Sequence, residues 1–297
     1  MAERDALSAE RERPAPGSFD ADTAVALARE SGAERVFAAE VSPAWRAGRG
    51  PHGGYLAAML LRALVAAVED PARAPRSLTI HYARAPQPGP VQISTALERA
   101  GRSLSTLSAR MEQDGRLLAL ALAAFSVPWS GPEISELPMP PVEPADESRV
   151  AGTARLFGAP PFTEHVVMQP RIGGTPFSGP PRAMEFGAWL GLAQPRPIDA
   201  LSLAFFSDAL IPAPFMRTHE FAPAPTIDLT IHFRVALPRE QDARRPAGGR
   251  HELCFARVRA GAVHDGFFVE DGVIWAADGA VLAQSRQLAL LMGAPIG

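Results

Sequence analysis

The second half of the chain carries a carboxylate and an amide that the first half lacks, at positions where the two halves otherwise echo one another. Thr226-Ile227-Asp228-Leu229-Thr230-Ile231-His232-Phe233 alternates as a β-strand with an acid at its mouth. Its core, Leu229-Thr230-Ile231-His232, repeats Leu78-Thr79-Ile80-His81, so Asp228 falls where the first copy has Ser77. Asp114-Gly115 and Asp278-Gly279 are matching hairpin signals. Counting from them pairs Ala119 with Ala283, Ala121 with Ser285 and Ala123 with Gln287. These positions share one strand face, because side chains alternate along a strand. Asp228 and Gln287 are therefore the pair whose types could do chemistry: a carboxylate can serve as a general base, and an amide can orient the group the base acts on. The plainer use of an Asp at a strand mouth is a turn cap.

The elements that must position this pair read as one unit repeated. In the first copy, Gly50-Pro51-His52-Gly53-Gly54 leads into a helix over Tyr55 to Val68 that is apolar on every face apart from Arg62. Such a helix is buried all round, and the two glycines permit a close approach to its first turn. Strands follow over Ser77 to Tyr82, Val91 to Ala100, Ser103 to Glu112 and Arg116 to Val127. Residues 128 to 162 are rich in Pro and acids and read as a linker across the surface. The second copy has strands over Glu164 to Gln169 and Ala183 to Leu192, then a helix over Ile198 to Leu210 with Asp199 as N-cap. The echoed strand comes next, followed by a long turn over Leu237 to Arg250 and strands over Glu252 to Val258, Gly266 to Trp275 and Val281 to Met292. Upstream of both, residues 1–18 read as a flexible tail, a short helix is expected over Thr23 to Glu30, and Arg35 to Val41 reads as a strand. The division is thus a tail at 1–18, a unit at 19–127, a linker at 128–162 and a second unit at 163–297. Helix then antiparallel strands, twice, is an α+β pattern in which each sheet wraps its helix.

Composition narrows the function classes. With 297 residues and 47% apolar content there is enough chain for a substantial core. The net charge of -3 points to neither nucleic acid nor an anionic membrane. The chain has no lysine, so all 29 basic residues are arginine. One cysteine, Cys254, excludes an intrachain disulfide framework, suits a core position and fits a reducing compartment. The charged N-terminus has no secretory pattern and no apolar run is long enough for a bilayer, so a cytoplasmic protein is expected. There is no Gly-x-Ser-x-Gly elbow, no phosphate-binding Gly loop and no metal-ligand pattern, and no cofactor is expected.

Three stretches together resemble the double hotdog acyl-CoA thioesterases, the thioesterase II type. They are Pro51-His52-Gly53-Gly54 with its helix, Thr226-Ile227-Asp228 opening the strand to Arg234, and Asp278-Gly279 running on to Gln287. The resemblance implies two fused hotdog units, their sheets side by side and long helices in the concave faces. In that family an Asp, a Gln and a Thr or Ser hold the attacking water. On this resemblance the Asp is Asp228 and the Gln is Gln287. The hydroxyl has no counterpart, since an ungapped count reaches Arg259 and no Thr follows Thr230. Asp208 also resembles a family position, although an exposed helix acid would look the same.

The expected reaction is hydrolysis of a fatty acyl-CoA, or another acyl thioester, without a covalent intermediate. Asp228 would take the proton of water, Gln287 would orient it, and helix-start amides at Gly53 and Gly54 would hold the oxyanion. His52 could touch substrate, although a surface position suits it as well, and Arg46, Arg49 and Arg286 could meet coenzyme A phosphates. The alternatives are an acyl-thioester-binding hotdog protein without activity and an enoyl-thioester hydratase using His52. Exposed sheet edges would favour a homo-oligomer.

Overall fold

In the computed structural model, residues 17–146, 148, 159–178, 182–239 and 252–293 are described. The start of the expected tail, residues 147 and 149–158 of the linker and most of the turn up to Arg250 lie outside them. The first unit contains α1 (Phe19–Asp22), β1 (Val25–Ser31), β2 (Glu34–Val41), a small hairpin of β3 (Arg46–Ala47) and β4 (Gly50–Pro51), and α2 (Gly53–Val68). Then come β5 (Ala74–Tyr82), β6 (Gly89–Ala100), β7 (Leu104–Gln113) and β8 (Arg116–Ser126). The second unit contains β9 (Val166–Ile172), β10 (Glu185–Leu192), α3 (Ala200–Phe206), β11 (Thr226–Phe233), β12 (Cys254–His264), β13 (Phe267–Ala276) and β14 (Val281–Leu290).

Twelve of these strands form one antiparallel sheet in the order β1-β2-β6-β7-β8-β5-β11-β14-β13-β12-β10-β9. Read outward from the middle, the two halves use corresponding strands in the same order, which is what duplication of one unit produces. The seam is β5 against β11. Thr79 pairs with Thr230 there, their hydroxyl oxygens 3.2 Å apart, and Leu78 pairs with Ile231 and Ile80 with Leu229. The echoed tetrapeptide is thus one ladder facing its own copy across a local two-fold. Leu78, Ile80, Leu229 and Ile231 are fully buried on the concave side.

Helix α2 lies in that concave side with Tyr55 to Leu61, Ala63 and Leu64 buried, so nearly every face is covered. Its one charge is matched rather than exposed: Arg62 donates to Asp20 at 2.8 Å and to Thr23. The helix expected over Thr23 to Glu30 is instead β1. The capping residue is Ser18, which accepts from the Ala21 amide and starts α1 at Phe19. Helix α3 is seven residues long, not the thirteen-residue helix expected up to Leu210. Asp199 caps it through a full capping box with Ser202. The chain leaves the helix after Ser207, and this early ending frees Asp208 to point at α2.

The linker covers the outer face of the second half of the sheet. Trp189, Phe255 and Trp275 form a separate apolar cluster there, with Met139, Val142 and Ala145 on top. Both indole N–H groups donate to linker carbonyls, Trp189 to Glu143 and Trp275 to Leu137, each at 2.9 Å. No helix among the described residues is long and apolar enough to cross a membrane.

Candidate active site

The site forms where the start of α2, from the first unit, meets the end of α3, from the second. Gly54 donates its amide to Asp208 Oδ2 at 2.9 Å. The unpaired N–H groups of a helix start favour an anion at this point. The approach depends on the glycines. A Cβ on Gly54 would stand 2.4 Å from the Phe205 carbonyl oxygen, and one on Gly53 would stand 2.7 Å from Asp208 Oδ2. Tyr82, at the end of β5, donates its hydroxyl to the Gly53 carbonyl at 2.9 Å.

Asp208 is not an exposed helix acid. Its side chain is 12% exposed, and burial raises its pKa, opposed by the Gly54 and Gly53 amides. Thr226 Oγ1 lies 3.5 Å from Asp208 Oδ1 and donates to Gln287 Oε1 at 3.0 Å. A carboxylate, a hydroxyl and an amide therefore converge. The hydroxyl of this group is that of Thr226. Strand alternation alone sends it to the outer face, but β11 is bulged between Thr226 and Asp228. Thr226 then pairs with Ala289, on the same face of β14 as Gln287. A bulge re-aims the side chains on one side of it in this way.

The same register turns Asp228 away. Leu229, not Asp228, pairs with Gln287, while Asp228 pairs with Leu288 on one side and His81 on the other. Asp228 lies on the outer face with Thr230 and exposed His232, whereas Leu229 is fully buried on the inner one. The expected Asp228–Gln287 pair is thus not brought together, and the acid that faces Thr226, the hydroxyl bonded to Gln287, is Asp208.

Gln287 is 7% exposed and takes its place as expected, on the inner face beyond Ala283. Its Nε2 donates to Glu270 Oε1 at 2.8 Å, and Glu270 Oε2 accepts from the Ala213 amide at 2.6 Å. Glu270 is buried, and burial pushes its pKa up to about 7. No sequence pattern marked it, because its acidic neighbour Asp271 and the turn before it resemble ordinary strand polarity.

His52 is neither at the surface nor open to substrate. It is the N-cap of α2, 3% exposed, with Nδ1 accepting from the Tyr55 amide at 3.3 Å and Nε2 facing the Asp208 carbonyl at 3.0 Å. These partners require the neutral tautomer with its proton on Nε2, and burial lowers the imidazole pKa accordingly. Both nitrogens are occupied by backbone groups. Cys254 is fully buried with its thiol pushed up to about 12, consistent with a core residue. Arg286 is paired with Asp271 at the outer side of β13.

The sheet order and the buried helix in its concave face define a double hotdog fold. The chain belongs to the acyl-CoA thioesterase family: residues 41–126 match its N-terminal domain and residues 136–291 its C-terminal domain. An uncharacterised protein of Mycobacterium tuberculosis is 27% identical, the match covering 86% of this chain and 91% of that protein. A hotdog-fold protein of unknown function from Alicyclobacillus acidocaldarius superposes with a TM-score of 0.78 at 25% identity, covering 94% of this chain and 98% of the other. An acyl-CoA thioesterase II from Mycobacterium marinum, 17% identical with 94% and 98% covered, shares the fold with a TM-score of 0.68.

Proposed function

We propose that this protein hydrolyses acyl-CoA thioesters by direct attack of water, with Asp208, Thr226 and Gln287 as the catalytic groups. The observation that carries the reading is the meeting of these three side chains at the start of α2. Asp208 has only one oxygen tied to Gly54, so Oδ1 is the one that can accept a proton from water. Thr226 and Gln287 hold the water's oxygen in line. Water attacks the thioester carbonyl carbon as its proton passes to Asp208. The tetrahedral intermediate then expels the coenzyme A sulfur, and the proton held by Asp208 leaves with that thiol. Acid and free thiol are the products, and no bond to the protein forms.

The Gly53 and Gly54 amides have a different part from the one expected of them: they hold the base rather than the oxyanion, and they oppose the rise that burial gives its pKa. Coloured detection of thiol released from acyl-CoAs of stepped chain length tests the activity. If none of them loses its thiol, or crotonyl-CoA is hydrated instead, the reading is wrong. Thr226→Val keeps the shape of the site and removes the hydroxyl. It is expected to lower kcat about 10- to 100-fold with KM nearly unchanged, the scale of effect of a misplaced reactant. A wild-type rate in that variant removes Thr226 from the mechanism.

A further inference from the structure

We propose that Glu270 is a positioning residue for this reaction, fixing the Gln287 amide so that its oxygen faces Thr226 and the site; this rests on the hydrolytic reading above. Glu270 and Gln287 are cross-strand partners on the inner face of β13 and β14. In the first unit the corresponding pair is Leu107 and Ala123, both buried and apolar. The second unit therefore carries a buried acid next to the same residue whose amide it adds to the site. A carboxylate in a core position is costly unless its oxygens are satisfied. Here each oxygen has one donor, the Ala213 amide on one side and Gln287 Nε2 on the other.

The donor and acceptor inventory then dictates the orientation of the amide. An ionised carboxylate only accepts, so Gln287 must present its NH2 to Glu270, and its oxygen is left for Thr226. A protonated Glu270 still has to accept from the Ala213 amide, which puts the acidic hydrogen on Oε1. That hydrogen would be donated to the amide oxygen, turning the amide over and placing its NH2 against Thr226. The charged groups around Glu270 are Asp208 at the end of α3 and Asp271 beside it in β13, and both disfavour its ionisation. Asp271 itself is paired with Arg286 on β14, and Arg259 is its cross-strand neighbour on β12. With burial these push the Glu270 pKa to about 7, so ionisation, and the productive amide, are gained as pH rises through neutrality.

Glu270→Gln copies the protonated form at every pH: its oxygen accepts from Ala213 and its NH2 holds the Gln287 oxygen. Two measurements decide the proposal. The first follows the side-chain amide signals of Gln287, identified by their loss in Gln287→Met, by NMR across neutral pH. They are expected to titrate in the wild type and stay fixed in Glu270→Gln; no titration in the wild type, or the same titration in both, overturns the proposal. The second is thiol release. Glu270→Gln is expected to lower kcat about 10- to 100-fold, a typical effect of misorientation, with KM nearly unchanged and the inflection near neutrality gone. Glu270→Met, which removes the carboxylate at similar length, is expected to show the same loss. A wild-type kcat and pH profile in either folded variant overturns the proposal. If the wild type itself releases no thiol, the hydrolytic reading fails, while the amide titration still decides what Glu270 does to Gln287.

Discussion

Asp208→Asn is expected to reduce kcat for thioester hydrolysis by about 10³-fold, within the range general-base removal produces. Asparagine keeps the oxygen that accepts from Gly54, so the α2–α3 junction stays closed and KM changes little. What disappears is the ability to take a proton. Asp208→Asn also changes the pH dependence in a specified direction. Burial raises the Asp208 pKa above the usual carboxylate value, so the wild-type rate falls as pH drops through that raised value, and the variant has no such limb. The same shift fixes the sign for stability. A carboxyl with a raised folded pKa favours the folded state below its unfolded pKa, and that advantage is lost as pH rises through the folded pKa. Asp208→Asn should therefore unfold at the same or a higher temperature than wild type at neutral pH while turning over far less substrate. Asp228→Asn is the matched control. On the outer face, beside His81, it is expected to leave kcat within about twofold, as surface changes remote from the chemistry do. If Asp228→Asn abolishes hydrolysis and Asp208→Asn does not, the base has been assigned to the wrong carboxylate.

The contrast between these two acids shows what the sequence could and could not carry. Gln287 is legible because both copies carry the same irregularity just after their Asp-Gly turns, so the count from one to the other still holds, and β14 alternates regularly from Ala283 to Leu290. The duplication was legible for a related reason: the seam β5–β11 is regular, and its Leu-Thr-Ile-His copies face each other residue by residue. Thr226 and Asp208 were hidden by departures from regularity. One extra residue in β11 moves Thr226 to the inner face and leaves Asp228 on the outer one. Helix α3 ends several residues before Pro212, which is the only breaker its sequence displays, so Asp208 reads as one more residue on an exposed helix face. The burial of His52 has no local signal, because the rings that cover it, Phe162 at the end of the linker and Phe205 in α3, come from far along the chain. Active-site elements that break a local rule are expected where two units must meet at one point.

Gly54→Ala tests that meeting point from the backbone side. By helix propensity alone, replacing Gly with Ala inside a helix should stabilise by about 1 kcal/mol. The packing predicts the opposite. The new Cβ would lie 2.4 Å from the Phe205 carbonyl oxygen and 3.0 Å from the His52 ring, and the nearer of these is backbone that cannot rotate aside. Either the first turn of α2 lifts away or the end of α3 retreats. Both movements stretch the Gly54–Asp208 and His52–Asp208 contacts together, because all of them cross the same junction. Overpacking of this kind typically costs about 1–3 kcal/mol, which for a chain of this size lowers the unfolding midpoint by several degrees. The effect on turnover should be larger than the effect on stability, since a displacement of about 1 Å at a reacting group can cost about 100-fold. Thermal unfolding and thiol release on the same preparation measure both. A variant that melts higher and hydrolyses normally would mean that α2 and α3 can separate without consequence, and that the helix start is not what holds the base. A variant that melts lower yet loses far more rate than stability would place the closeness of these two helices, rather than any single side chain, at the origin of the site.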